Sequence, residues 1–425
     1  MGDTMKFTEL TEQEFQDFVD TQANKNFFQT VMMKKKLELD GTKVYLVGVK
    51  ENDKVIGASL IAETRQKFLG KTTFEAYKGF ILDYKNKKLL EFMTNNVKKF
   101  LKERNGLKLV IDPYIPAVSR NMEAEITDEF DNRDIIKYLH SLGYKNSQSD
   151  QVKWTYCLDI NGKTSKELFN DFRSSTRNNI NKTLTKYDLN IRTLSKDELK
   201  EFKTITSDTC DRRSFSDKSL KYYEEMYDCF KDNVTFKICE INLKNYIQKL
   251  ENSNNEMTSK LSELSDSNSN LKKKEVMRKD IENNEKKIKE ARELMQEKGE
   301  TIPLSAAMFI LYGDEIIYLF SGSYAQYMQF CGQYRLQWEI IKYAADHNYK
   351  RYNFFGIQDV FNPNGKDRGV YEFKKGFGGY VEELLGAYEL SLNPVNILFN
   401  ILKKLNTRLK RKKINIWTLL LLAVL

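Results

Sequence analysis

Residues 243–298 read LKNYIQKLENSNNEMTSKLSELSDSNSNLKKKEVMRKDIENNEKKIKEARELMQEK. Leu243, Ile247, Leu250, Asn254, Met257, Leu261 and Leu264 recur at alternating four- and three-residue steps. After the polar SDSNSN at 265–270, the pattern resumes with Met277, Ile281, Asn284, Ile288, Ala291 and Met295. That spacing is the apolar seam of two helices, and the Ser/Asn tip between them supplies a turn, so an antiparallel coiled-coil hairpin is predicted. At 1.5 Å per residue each helix is about 35 Å long, enough to stand clear as an arm. VTFKICEI precedes the arm and IPLSAAMFILY follows it, both strand-like. The arm is therefore an insertion within one domain and not a linker between two.

With the arm removed, a weak internal repeat emerges. KVYLVGVKENDKVIGASLIAE (43–63) reads as strand, polar turn, strand; a helix follows over Lys88–Arg104, then the strand LKLVIDPY (107–114). The second half repeats that order. TFKICEI (235–241) and PLSAAMFILYGDEIIYLFSGS (303–323) supply strands, Tyr334–His347 a helix with Leu336, Ile340, Ile341 and Ala344 on one face, and YKRYNFFGI (349–357) the next strand. The expected fold class is α/β (α+β): two mixed units, each built on a bent, mostly antiparallel sheet. This strand order is that of acyl-transfer folds of the N-acetyltransferase type, an analogy of fold.

The 425 residues, 40% apolar and 12% aromatic, suffice for two cores and exclude a disordered chain. Lys plus Arg exceeds Asp plus Glu by nine, so the surface attracts phosphates of RNA, nucleotides or lipid headgroups. Cys157, Cys210, Cys229, Cys239 and Cys331 form no CxxC pair, which fits reduced, buried thiols in a cytosolic protein. Only His140 and His347 are present, without metal-ligand spacing, so zinc catalysis and histidine-based triads are disfavoured and no metal or other cofactor is expected. The start, MGDTMKFTEL, lacks the pattern of a secretory signal. Near the other end Lys403, Lys404, Arg408, Lys410, Arg411, Lys412 and Lys413 precede the apolar run Ile414–Leu425. That run is too short to cross a bilayer but suits an anionic inner membrane face; a frayed basic tail is the alternative.

Several segments together resemble the FemABX family of non-ribosomal peptidyltransferases. KFTELTEQEFQDFV (6–19), FFQT (27–30), KGFILDY (78–84) and IDPY (111–114) are similar to its first domain; QYRLQWEIIKYA (333–344), RYNFFGI (351–357) and GVYEFKKGF (369–377) are similar to its second. The resemblance implies two N-acetyltransferase-like (GNAT) domains with an inserted antiparallel coiled-coil arm. The first takes 1–152 plus 386–425, the second 153–385, and the arm 243–298. It also implies transfer of Ala, Ser or Gly from aminoacyl-tRNA to the stem-peptide amine of lipid II. The partners are then the charged tRNA and the lipid-linked precursor, with peripheral contact at the inner membrane face.

An aminoacyl ester is already activated, so the chemistry asks for positioning, one cation at the developing oxyanion, and a route for the proton of the attacking amine. Lys374 matches the family's catalytic lysine; by its neighbours Phe373 and Lys375 alone it reads as an edge-strand solubiliser, with Lys374 and Lys375 on opposite faces of a strand. Asp112, at the end of the apolar run LKLVI, is the candidate base, against a plain turn former before Pro113. Lys35 matches a family contact to the precursor's diphosphate. Lys218 stands where the family carries Arg, keeping the charge and losing the bidentate fork; Arg212 and Arg213 are placed to compensate. Tyr223 is a weaker substrate-binding candidate, its alternative being core. For tRNA phosphates the candidates are Arg173, Arg177, Lys182 and Lys186, read as the outer side of a helix, with Lys272, Lys273 and Lys274 on the arm.

Two other readings compete. An acyl-CoA-dependent N-acetyltransferase needs a Gly- and Arg-rich pyrophosphate turn, for which YAQYMQFCGQYRL offers only Gly332 and Arg335. A non-catalytic coiled-coil scaffold at the membrane needs no site at all.

Overall fold

The structure, a computed structural model, describes residues 5–66, 70–213, 216–265 and 267–396. The basic and apolar run from Lys403 lies outside them. The described residues form two compact units: one takes residues 5–155, Gly356–Phe361 and 380–396, the other Tyr156–Phe355 and Asn362–Gly379.

In the first unit a seven-stranded sheet runs in the order Lys6–Glu9, Lys43–Glu51, Lys54–Gln66, Lys71–Lys78, Gly106–Pro113, Tyr388–Ser391, Tyr144–Asn146. Asn52 and Asp53, both at positive φ, make the tight turn joining its first long hairpin. Strands Lys71–Lys78 and Gly106–Pro113 are parallel, so the chain must cross over between them, and helix Lys87–Glu103 makes that crossover. The helix forms where Asn86 caps the Leu89 amide, and it buries Leu89, Leu90, Met93, Val97 and Leu101 against the sheet's core. Lys71–Lys78 was not anticipated: KTTFEAYK carries too few apolar residues to announce itself, although Phe74 and Ala76 are fully buried.

The second unit repeats this order. Strand Asn190–Thr193, helices Leu199–Arg213 and Leu220–Phe230, strands Val234–Asn242, Thr301–Tyr312 and Glu315–Ser323, helix Gly332–Asp346 and strand Arg351–Gly356 follow one another. They match Lys6–Glu9, helices Glu12–Asp20 and Val31–Leu39, and the elements above. Among these matched strands every neighbouring pair is antiparallel in both units except the last, across the crossover helix. The duplication is thus fuller than the sequence alone revealed.

Between Val234–Asn242 and Thr301–Tyr312 the chain forms helices Leu243–Glu263 and Asn268–Lys298. Leu243, Ile247, Leu250, Ile288 and Ala291 are buried, and the Asn284 amide donates to Asn254 Oδ1 at 2.9 Å across the pair. The Arg292 guanidinium reaches Glu251 at 2.6 Å. Lys274, expected as an exposed cation, is buried. Counting three residues back from Met277 along the seam lands on it, so the same periodicity that marks the helices turns it inward. A seam asparagine pair lowers stability in exchange for register. Asn254→Leu with Asn284→Leu is therefore expected to raise the melting temperature by a few degrees in calorimetry, and Asn254→Leu alone to raise it less, because the Asn284 amide loses its partner.

All the cysteines are free thiols. Cys157, Cys210 and Cys239 are buried as expected, whereas Cys229 and Cys331 are partly exposed. Among the described residues no helix is long and apolar enough to cross a membrane, and no group of His, Cys, Asp and Glu is disposed to hold a metal ion.

Candidate active site

In the first unit the parallel pair runs from Thr72↔Gly106 to Lys78↔Pro113, with one register shift between Thr72 and Thr73. In the second it stops early: Glu315↔Arg351, Ile316↔Tyr352 and Ile317↔Asn353 pair, and the strands then part. Strand Glu315–Ser323 nevertheless keeps its antiparallel partner as far as Ser305↔Ser323. Its edge from Tyr318 onward is thereby opened, and Tyr318, Leu319, Phe320 and Ser321 are only half-buried within a sheet. At its far end Thr209 Oγ1 accepts from the Ser323 amide at 2.8 Å, and the Arg212 guanidinium donates to the Ser323 carbonyl at 3.3 Å. Gly322 has no room for a side chain, because a Cβ there would meet the Ile205 carbonyl of the helix laid across the strand.

Lys374 lies beside this opening. The segment read as a strand is a helix, Arg368–Lys375, and both Lys374 and Lys375 are buried at 5% exposure. Neighbours on a helix lie about 100° apart, so two adjacent side chains can turn inward together, which a strand forbids. The Lys374 ammonium donates to the Phe355 carbonyl at 3.4 Å and stands 6.0 Å from the Tyr318 ring centre. Burial lowers its pKa from 10.5 to about 7. The Tyr318 hydroxyl donates to Gln333 Oε1 at 3.1 Å, and Gln333 Nε2 donates to the Gly322 carbonyl at 2.9 Å and to Ser323 Oγ at 3.0 Å. Gln333, in the first turn of helix Gly332–Asp346, thus braces the open strand. Nothing in the sequence pattern marked Gln333 or Tyr318 for this role.

Other candidates gather along the same strand. Tyr222 packs edge-on to Phe320 at 6.0 Å, and the exposed Lys218 ammonium lies 5.3 Å over the Tyr222 ring. Arg213 faces Asp367 at 3.6 Å. Tyr223, by contrast, is fully buried among Phe202, Phe236 and Phe320, its hydroxyl given to Asp217 at 2.7 Å. Its side chain is core and is not a substrate contact.

Asp112 does not stand open at a loop. It is buried at 4% exposure, its Oδ1 accepting the Lys78 amide at 2.7 Å and its Oδ2 the Lys78 ammonium at 2.8 Å. Lys78, itself buried, also donates to the Val152 carbonyl at 3.3 Å. Burial raises the Asp112 pKa against the opposing pull of Lys78. A carboxylate engaged on both oxygens serves the fold of the first unit and is poorly placed to take a proton. In the run Lys34, Lys35, Lys36, the first pairs with Glu12 and Glu38 and the third, buried, with Asp40. Lys35 is exposed with no acidic partner among the described residues.

Of the cations assigned to RNA, Lys182, Lys186, Lys272 and Lys273 are exposed. Burial lowers the Lys186 pKa, helped by Lys287 and Lys182 nearby. Arg173 pairs with Glu372 at 3.3 Å, and its amide donates to the Gly376 carbonyl at 3.0 Å, tying it to the C-terminal half of the Lys374 helix. Arg177 is turned inward: it donates to the Asn170 carbonyl at 2.8 Å and to that of Phe172, satisfying the end of helix Ser165–Asp171. Arg177 and the buried Lys274 are therefore not part of a free basic surface.

A family model described as the FemAB family matches residues 10–404. Aminoacyltransferase FemA of Staphylococcus epidermidis is 34% identical over 420 residues, covering 94% of this chain and all of that protein. Aminoacyltransferase FemA of Staphylococcus aureus is 31% identical over 421 residues, covering 95% of this chain and all of that protein. The crystal structure of FemX superposes with a TM-score of 0.74 at 23% identity, covering 92% of this chain and 99% of that one, which establishes the fold. The chain belongs to the FemAB family and is an aminoacyltransferase. The non-catalytic scaffold and the acyl-CoA-dependent acetyltransferase are thereby set aside.

Proposed function

We propose that the enzyme transfers Ala, Ser or Gly from aminoacyl-tRNA to the stem-peptide amine of lipid II, building the peptidoglycan cross-bridge on two GNAT-like domains. The observation that carries this reading is Lys374, a buried amine beside a strand edge that its parallel partner leaves open. The acceptor amine attacks the ester carbonyl, the tetrahedral oxyanion forms, the bond to the ribose oxygen breaks, and the amine's proton ends on the departing ribose hydroxyl. No ATP enters, because the ester is already activated.

Burial disfavours the Lys374 ammonium in the resting site, and an oxyanion developing beside it restores the charged form. The attraction is therefore stronger in the transition state than in the ground state, which is the condition for catalysis. Lys218, with Arg212 and Arg213, binds the diphosphate of the acceptor, and Lys35 of the first unit is a separate candidate contact to that substrate. Arg173, Lys182, Lys186, Lys272 and Lys273 bind tRNA phosphates, and the helix pair 243–298 acts as a coiled-coil arm for that RNA. The run from Lys403 rests on the anionic inner membrane face, where the lipid substrate resides.

The test is incubation of purified protein with lipid II and separately charged alanyl-, seryl- and glycyl-tRNA, read by mass spectrometry. A mass gain of one residue with one donor is expected. No gain with any of them, from protein that is folded, overturns the reading.

A further inference from the structure

We infer that Asp217 is a positioning residue that holds Lys218 and Tyr222 as one preformed seat for the diphosphate of the acceptor lipid. The inference rests on the proposed role of Lys218. Asp217 lies between helices Leu199–Arg213 and Leu220–Phe230, its side chain only 11% exposed. Its Oδ2 accepts from the Lys203 ammonium at 2.5 Å, Thr206 Oγ1 at 2.9 Å and Ser207 Oγ at 3.2 Å, all on the first helix. Its Oδ1 accepts from the Lys218 amide at 2.8 Å and the Tyr223 hydroxyl at 2.7 Å, on the other side. One carboxylate therefore ties the connecting loop to both helices at once.

The consequence reaches the surface through short links. Tyr223 is immobilised in the core, and Tyr222 beside it packs edge-on to Tyr223 at 5.7 Å and to Phe320 at 6.0 Å. The Lys218 backbone is pinned by its amide, and its ammonium rests over Tyr222. A free surface lysine loses much rotamer entropy on binding a phosphate; one whose backbone is fixed and whose head lies on an aromatic ring loses less. Asp217 would repel a diphosphate if its charge were bare, but Lys203 neutralises it. Burial opposes its ionisation, and the bonds from Lys203, Tyr223 and Thr206 outweigh burial and hold its pKa below the ordinary value. Asp217 is thus the fixed anion of the loop throughout the working pH range, and its own role is not to touch substrate.

Steady-state kinetics with lipid II at saturating aminoacyl-tRNA test this in wild type, Asp217→Asn, Asp217→Glu, Ser207→Ala, Lys218→Met and the Asp217→Asn/Lys218→Met pair. Asp217→Asn is expected to raise KM for lipid II about tenfold, the scale of one charge-assisted hydrogen bond, with kcat and the KM for tRNA unchanged. Asp217→Glu recovers part of that loss, and Ser207→Ala, which trims one donor and leaves the fold, shifts KM the same way by less. Adding Lys218→Met to Asp217→Asn costs nothing more, because both remove the same seat. A fall in kcat with KM unmoved, or independent effects that multiply, overturns the positioning role. Lys218→Met with an unchanged KM overturns the assignment of Lys218 itself, a distinct outcome. If Asp217→Asn does not fold, Ser207→Ala decides, and an unshifted KM there counts against the proposal.

Discussion

Lys374→Met is expected to lower kcat for aminoacyl transfer by about a hundred- to a thousandfold, the loss typical of one oxyanion-stabilising group, while the protein melts at a higher temperature than wild type. The two effects have one cause. Burial that lowers the Lys374 pKa to about 7 is a free-energy cost of the folded state. The unfolded chain holds the proton up to about pH 10.5 and the folded chain releases it near 7, so stability rises with pH between those values. The cost is fully present below pH 7, shrinks as pH rises, and is absent above 10.5. Met removes it without leaving a cavity, so the gain in melting temperature is largest in acid and fades in alkali. For activity the sign is opposite, because the ammonium is the working form. In the free enzyme kcat/KM should fall as pH rises through about 7, and Lys374→Arg, which stays charged, should lack that descending limb. A Lys374→Met enzyme that retains transfer within a few fold removes Lys374 from the mechanism.

Asp112→Leu has the largest expected effect on stability. It strands the Lys78 ammonium in the core, a loss of about 3–5 kcal/mol for a broken buried pair. Lys78→Met combined with Asp112→Leu replaces both charges by apolar groups of similar size, and most of the stability should return. Denaturant titration of the two singles and the double separates the coupling from the individual costs. Transfer activity of the double variant then discriminates structure from chemistry. Activity within a few fold of wild type makes the pair a strut of the first unit. A folded double variant that is inactive reinstates Asp112 as the base.

The comparison of the two parallel strand pairs shows where sequence reasoning reaches its end. EIIYLFSGS was legible as a strand over Glu315–Ser323, and YKRYNFFGI as the next strand after the helix. That the pairing stops at Ile317↔Asn353 is not written in either segment, because the hydrophobic pattern of a strand is the same whether its edge is paired or open. GVYEFKKGF was misread because nine residues rich in aromatics satisfy a strand pattern and a short helix equally. Only the helix places Lys374 and Lys375 inside together. Lys78 and Asp112 are separated by 34 positions, and their meeting depends on strand register. Arg177 looked like one more exposed cation, and its inward turn followed from the carbonyls that the preceding helix leaves unpaired at its end.

Resemblance to the family, and not its own neighbours, marked Lys374; local order in the chain was enough to determine the helix pair and the duplicated α/β order. Those depend on periodicity and residue type, which a linear string records. The tertiary structure alone decided which charges are used up. Lys78, Asp112, Arg177, Lys274 and Asp217 are each committed by a partner or a burial that only folding creates, while Lys35, Lys182 and Lys218 remain exposed. The physical reason is range: side-chain pattern acts over a few residues along one element, whereas desolvation and ion pairing depend on what distant segments bring to the same point in space.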